Sequence, residues 1–208
     1  MMPGMSRART LSLLPRRSLL CLSAALLAVV GCAPDTGDVD NEASARLAYL
    51  GLDAAVGRAI QLGFDGFNAA SNANIPEQSQ AGDLGGLMVV GGQVDAGASN
   101  NKGMRLQVTL KDDYADVVLE GDRMVIYNGG PAELDMNFKG LPAADLTGTM
   151  IGTFVMEGDL AGDVTLNVSI VGKTMAGPGG GIVRVPGTVA VTGTATSGYG
   201  TFNIDVKL

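Results

Sequence analysis

The sequence predicts an α+β domain in which one N-terminal helix packs on a curved, mainly antiparallel β-meander of about eight to nine strands, forming an open barrel or roll. Three observations carry this. Apolar residues recur every three or four positions between 41 and 68, and they alternate with polar ones from 87 to 208. Clusters of Gly, Asn, Asp and Pro punctuate that second region at hairpin-like intervals.

Residues 1–31 stand apart from the domain. They hold Arg7, Arg9, Arg16 and Arg17 and no acid, followed by thirteen uncharged residues from Ser18 to Val30. A bilayer span needs about 20 apolar residues; this shorter run suits the h-region of a secretory signal. It ends in Val29-Val30-Gly31-Cys32. In those residues the chain resembles bacterial lipoprotein signal peptides, whose lipobox is an aliphatic residue, a tolerant position, a small residue and cysteine. The resemblance implies cleavage between Gly31 and Cys32, a diacylglyceryl group on the Cys32 sulfur, and usually acylation of the new amino terminus. Two or three acyl chains, at about 0.8 kcal/mol per buried methylene, make a lasting anchor. Cys21 lies inside the h-region and should leave with the peptide. Arg16-Arg17-Ser18-Leu19-Leu20 also looks somewhat like a twin-arginine signal, but it lacks the usual Phe, which favours general secretion. By the family's sorting rule, Ala33 after the lipidated position favours the outer membrane of a bacterial envelope.

The next element, residues 32–40, reads as the lipidated cysteine and a short acidic tether. Residues 41–208 then read as a single domain. Asp40 and Asn41 are good N-caps, and Glu42 falls where the helix dipole favours an acid. The expected helix, 41–68, carries an apolar stripe of Tyr49, Leu52, Val56, Ile60, Gly63 and Phe67. A second line, Gly51, Ala55, Ala59 and Gly63, would let the helix lie close against another backbone. Each glycine costs up to about 1 kcal/mol against alanine, so the helix needs a docking surface. Residues 71–86 are polar and read as a surface loop.

From 87 onward the period is two. Met104, Leu106, Val108 and Leu110 alternate with polar residues, as do Leu134, Met136 and Phe138; Val164, Leu166, Val168 and Ile170; and Phe202, Ile204, Val206 and Leu208. Each set marks a strand with one dry face. Gly-Thr-apolar triplets recur at Gly148, Gly152, Gly187, Gly193 and Gly200. Glycine within strands marks sharp bending or close backbone approach, which a sheet curling round a helix requires.

Charge and composition exclude several functions. Losing residues 1–31, with four arginines and no acid, takes the net charge from −7 to −11. Such a surface repels nucleic acid, so no nucleic-acid partner is expected. The chain has no histidine, which removes imidazole acid–base catalysis, histidine-dependent nucleophile systems and imidazole metal ligation. Gly172-Lys173-Thr174 lacks the glycine a phosphate-binding loop needs, because position 167 is Asn. Ser99-Asn100-Asn101-Lys102 has Ser-x-x-Lys spacing but reads as a hairpin turn between strands. Ser197 lacks the preceding glycine of a nucleophile elbow.

Asp112, Asp113 and Asp116, with Asp159 and Asp163, form the best residual cluster. Neither stretch fits a calcium loop, and solvated turn acids are the expectation. Thr147, Thr149, Thr153, Thr192, Thr194, Thr196 and Thr201 fall on the polar side of several strands, where threonine is a good β former. No catalytic residue, metal or cofactor is expected. The expected function is a lipid-anchored cell-envelope protein with a non-enzymatic structural or binding domain, attached to the membrane through Cys32. The alternative is a carrier of lipid or another apolar ligand, since a sheet folded on a helix resembles the half-barrel lipoprotein carriers of bacterial envelopes in architecture. Met88, Met104, Met136, Met150 and Met156 would line its cavity. A cavity of roughly 300 Å3 or more between helix and sheet would favour the carrier.

Overall fold

The computed structural model describes residues 37–177 and 181–208. Its first element is α1, Glu42–Ala69, one residue displaced from the expected bounds. Asn41 caps it: its side-chain oxygen accepts from the amides of Ala43 and Ser44 at 2.8 and 3.0 Å. The Ser44 hydroxyl in turn accepts from the Asn41 amide at 3.1 Å, so serine takes the return role usually given to glutamate.

Among the described residues nine strands follow: β1 Asn74–Ala81, β2 Gly85–Val94, β3 Lys102–Ala115, β4 Val125–Lys139, β5 Asp145–Gly158, β6 Gly162–Ala176, β7 Ile182–Arg184, β8 Ala190–Ser197 and β9 Gly200–Lys207. They form one antiparallel sheet ordered β1-β2-β3-β4-β5-β6-β8-β9, with β7 pairing the last residues of β6. The sheet is not closed, because β1 and β9 remain edges. Helix α1 packs against β1 and β2 on one side and β7 and β9 on the other, so the sheet curls around it. This is the α+β architecture expected, with the helix inside the curve.

Two expectations are corrected. Residues 71–86 are not a loop: β1 pairs with β2 from Asn74↔Gln93 to Ala81↔Leu87. Only Ile75 of this strand is buried, and a register shift between Ile75 and Gln78 breaks what alternation it has. An edge strand can be held by backbone pairing on one side alone, and Pro76 is tolerated there. The acidic tether is also shorter than 32–40. Val39 is buried, the Ser197 hydroxyl donates to its carbonyl at 2.5 Å, and the Tyr199 hydroxyl donates to Asp38 at 2.7 Å. The Ala161 amide donates to the Gly37 carbonyl, so residues 37–40 belong to the domain.

The small-residue line of α1 does what its spacing predicts. The Tyr127 hydroxyl reaches over Gly51 to donate to the Ala48 carbonyl at 2.8 Å, and a Cβ at Gly51 would strike that hydroxyl. A Cβ at Gly63 would stand 3.0 Å from Leu106. Phe64 meets Phe138 edge to face at 5.1 Å between ring centroids. The strands bend at glycine. Gly92 (φ +141°) and Gly193 (φ +156°) face Leu106 and Val168, and a Cβ at either would run into a carbonyl of the neighbouring strand.

Candidate functional site

Among the described residues, helix and sheet pack closely. The space between them, lined by Leu52, Val56, Ala59, Leu134, Met150 and Phe154 among others, is about 20 Å3 and wholly apolar. That is room for about one water and far below a small-molecule site of roughly 300 Å3. Met88, Met104, Met136, Met150 and Met156 are all buried. They pack into the core, where their flexible side chains adapt to their neighbours.

The polar groups nearest this interior form two clusters of one composition. In the first, Asp116 accepts from Arg58 of α1 (2.8 Å to Nη2, 3.3 Å to Nε), from the Asp83 amide (3.0 Å) and from the Tyr114 hydroxyl. Arg58 also reaches the exposed Asp83 carboxylate at 3.0 Å. In the second, Asp53 of α1 accepts two parallel bonds from Arg184 of β7, each 2.7 Å, and one from Tyr49 at 2.9 Å. Arg184 also donates to the Asp53 carbonyl at 2.8 Å. Burial, and then the adjoining aspartate, hold the Tyr49 and Tyr114 phenols well above the ordinary tyrosine range. Burial alone would lower the Arg184 guanidinium; hydrogen bonds and charge from Asp53 outweigh it and raise it.

The aspartates singled out in the sequence therefore separate. Asp116 is not a solvated turn acid; its side chain is fully buried, and α1 supplies its counterion. Asp112 and Asp113 lie in β3 with φ of +58° and +63°, and Asp113 pairs with Asn128 across the irregularity between β3 and β4. Asp159 accepts from the Met124 amide at 2.7 Å and so ties one turn to another. Among the described residues no three acids or cysteines are placed to hold a metal ion.

The other motifs resolve into structural contacts. Ser99 accepts from the Asn101 amide in the β2–β3 connection. Lys102 donates to the carbonyls of Asp95 and Gly97 at 2.8 and 2.6 Å, over the Phe67 ring. Lys173 pairs with Asp145 at 2.8 Å on the surface, while the buried Thr174 hydroxyl donates to the Pro142 carbonyl. Ser197 is bonded to Val39, as described.

Open clefts lie outside the core. One of about 490 Å3 follows the outer face where β2 bends, with Asn74, Gln93, Arg105, Gln107, Glu133 and Asp135 around it. Another, of about 350 Å3, lies between α1 and the segment after β7, with Asp53, Gln61, Arg184 and Pro186 among its walls. The outer face of β5, β6, β8 and β9 carries a threonine ladder, with Thr153↔Thr165, Thr165↔Thr196 and Thr196↔Thr201 in register. Hydroxyls within the first and last pairs are 2.9 Å apart. Periodicity placed Thr153, Thr196 and Thr201 outward; their alignment into a row with Thr165 needed the strand registers.

Gly31 and Cys32 lie outside the described residues. Among the described residues no helix is long and apolar enough to cross a membrane. No protein-family model matches the chain, and no curated protein or solved structure matches it.

Proposed function

We propose that the protein is a lipid-anchored component of a bacterial cell envelope, held to the membrane through Cys32, with a non-enzymatic structural or binding domain. The lipobox-like Val29-Val30-Gly31-Cys32 supports the anchor. One observation carries the reading of the domain: the helix–sheet interface has space for about one water. Ligands or partners therefore meet the domain from outside, at its turns, outer clefts and threonine-bearing face. The buried polar side chains support a structural assignment, since Asp116, Arg58, Asp53 and Arg184 are bonded to one another across α1 and the sheet.

Mass spectrometry of the mature N-terminus tests the anchor. The expected product begins at an acylated Cys32, and the Cys32→Ser chain should leave the membrane fraction. Continued membrane partitioning of that variant would sink the anchor. Native mass spectrometry of the Cys32→Ser chain tests the domain. A single ligand-free mass is expected, and a lipid bound at unit stoichiometry would restore the carrier reading.

A further inference from the structure

All the strands from β1 to β9, β7 aside, run between the same two ends of the sheet, and one end is chemically distinct. At it lie the β1–β2 turn, the β3–β4 connection, the β5–β6 turn, the β8–β9 turn and residues 37–41, where the chain enters α1. Three of those connections carry an exposed apolar or aromatic residue: Leu84 at 48%, Val118 at 56% and Tyr199 at 65% exposure. The connections at the opposite end, 95–101, 140–144, 177 with 181, and 185–189, carry no exposed large apolar residue among the described positions; the exposed Val171 and Met175 toward that end lie within β6.

The N-terminal segment is stitched into the apolar-tipped end. Gly37 is bonded to Ala161 of the β5–β6 turn, Asp38 to Tyr199, and Val39 to Ser197. Five residue steps separate Cys32 from Gly37, so the chain can extend at most about 18 Å from one to the other. That is far short of the distance between the two ends of the sheet, since the 15 residues of β6 span about 50 Å at about 3.3 Å per residue. A lipid on Cys32 can therefore hold no other end of the domain so close to the leaflet.

We infer that this end rests on the lipid leaflet bearing the anchor, with Leu84, Val118 and Tyr199 seated among the headgroups. The inference depends on the anchoring proposed above. Tyrosine suits that depth because its ring is apolar and its hydroxyl stays bonded, here to Asp38. Asp38, Asp40, Asp83, Glu120, Asp122 and Asp159 share this end with the exposed Arg123, which leaves it net acidic. Their charge selects a zwitterionic surface, whose outermost groups are ammonium, over an anionic one.

The test uses the full lipidated chain in vesicles of brominated phosphatidylcholine. Cys21 is removed with the signal and Cys32 is acylated, so one introduced cysteine is the only free thiol. Gly198→Cys places a fluorophore beside Tyr199 at a position where a Cβ meets nothing within 4 Å. Ala98→Cys places it on an exposed turn at the other end. Quenching by the brominated lipid should be several-fold stronger at position 198 than at position 98. Equally weak quenching at both, with the protein floating alongside the vesicles, overturns the docking and leaves the anchor standing. Protein that fails to float with the vesicles overturns the anchor, and the docking with it.

Discussion

Helix α1 is fastened to the sheet twice, by clusters with the same three side chains in reversed arrangement. At one, the helix supplies arginine (Arg58) and the sheet side supplies Tyr114 and Asp116. At the other, the helix supplies Tyr49 and Asp53 and β7 supplies Arg184. Their surroundings differ more than their chemistry. Asp116 has a fully buried side chain and accepts from three separate residues, whereas the Asp53 side chain is 18% exposed beside an open cleft. The same ion pair thus serves as a buried keystone in one place and as a clasp on a three-residue strand in the other. Water decides which: a carboxylate stripped of its partner is costly only where solvent cannot replace that partner.

Breaking both clusters at once should have the largest effect. Tyr49, Tyr114 and the fully buried Tyr127 are all held above their ordinary pKa, by burial first. The folded state therefore keeps protons that the unfolded state loses. Their stabilisation is complete below about pH 10 and falls as pH rises beyond it. Phenolate absorbance should rise first for the exposed Tyr199 and then cooperatively for the other three, together with loss of circular dichroism. Gradual ionisation of all four in a folded protein would refute this.

Next in size is Asp116→Ala, which leaves Arg58 facing only the exposed Asp83. It should cost about 3–5 kcal/mol in urea unfolding. Arg184→Ala should cost less, about 1–3 kcal/mol, because water reaches Asp53. Its clearest sign should be faster hydrogen exchange at Ile182–Arg184. Equal losses from these two variants would mean that burial does not distinguish the clusters. The smallest effect belongs to Asp83→Asn. Its carboxylate is 71% exposed, and the change should stay within about 1 kcal/mol.

The sequence made the helix, its Asn41 cap, its small-residue line and most of the sheet legible, because each rests on local pattern. It hid β1, whose polar residues have one buried member and whose pairing depends on β2. It hid Asp116 too. Three residues beyond Asp113, the chain turns inward to meet Arg58, 58 positions earlier, and no spacing rule links the two. Asp53 and Arg184 are 131 positions apart and were equally silent. Val39 looked like part of a tether because one apolar residue among acids has no period to reveal it.

The placement of α1 has a consequence for how the chain is made. The helix is synthesised before every strand that surrounds it, and its walls come from both β1–β2 and the distant β9. Its glycines keep it weak alone, so it cannot complete a core on the ribosome while β9 is still missing. The closing contacts are among the most distant in sequence, and such contacts slow folding. A nascent chain of this design can complete its core only once β9 has been made.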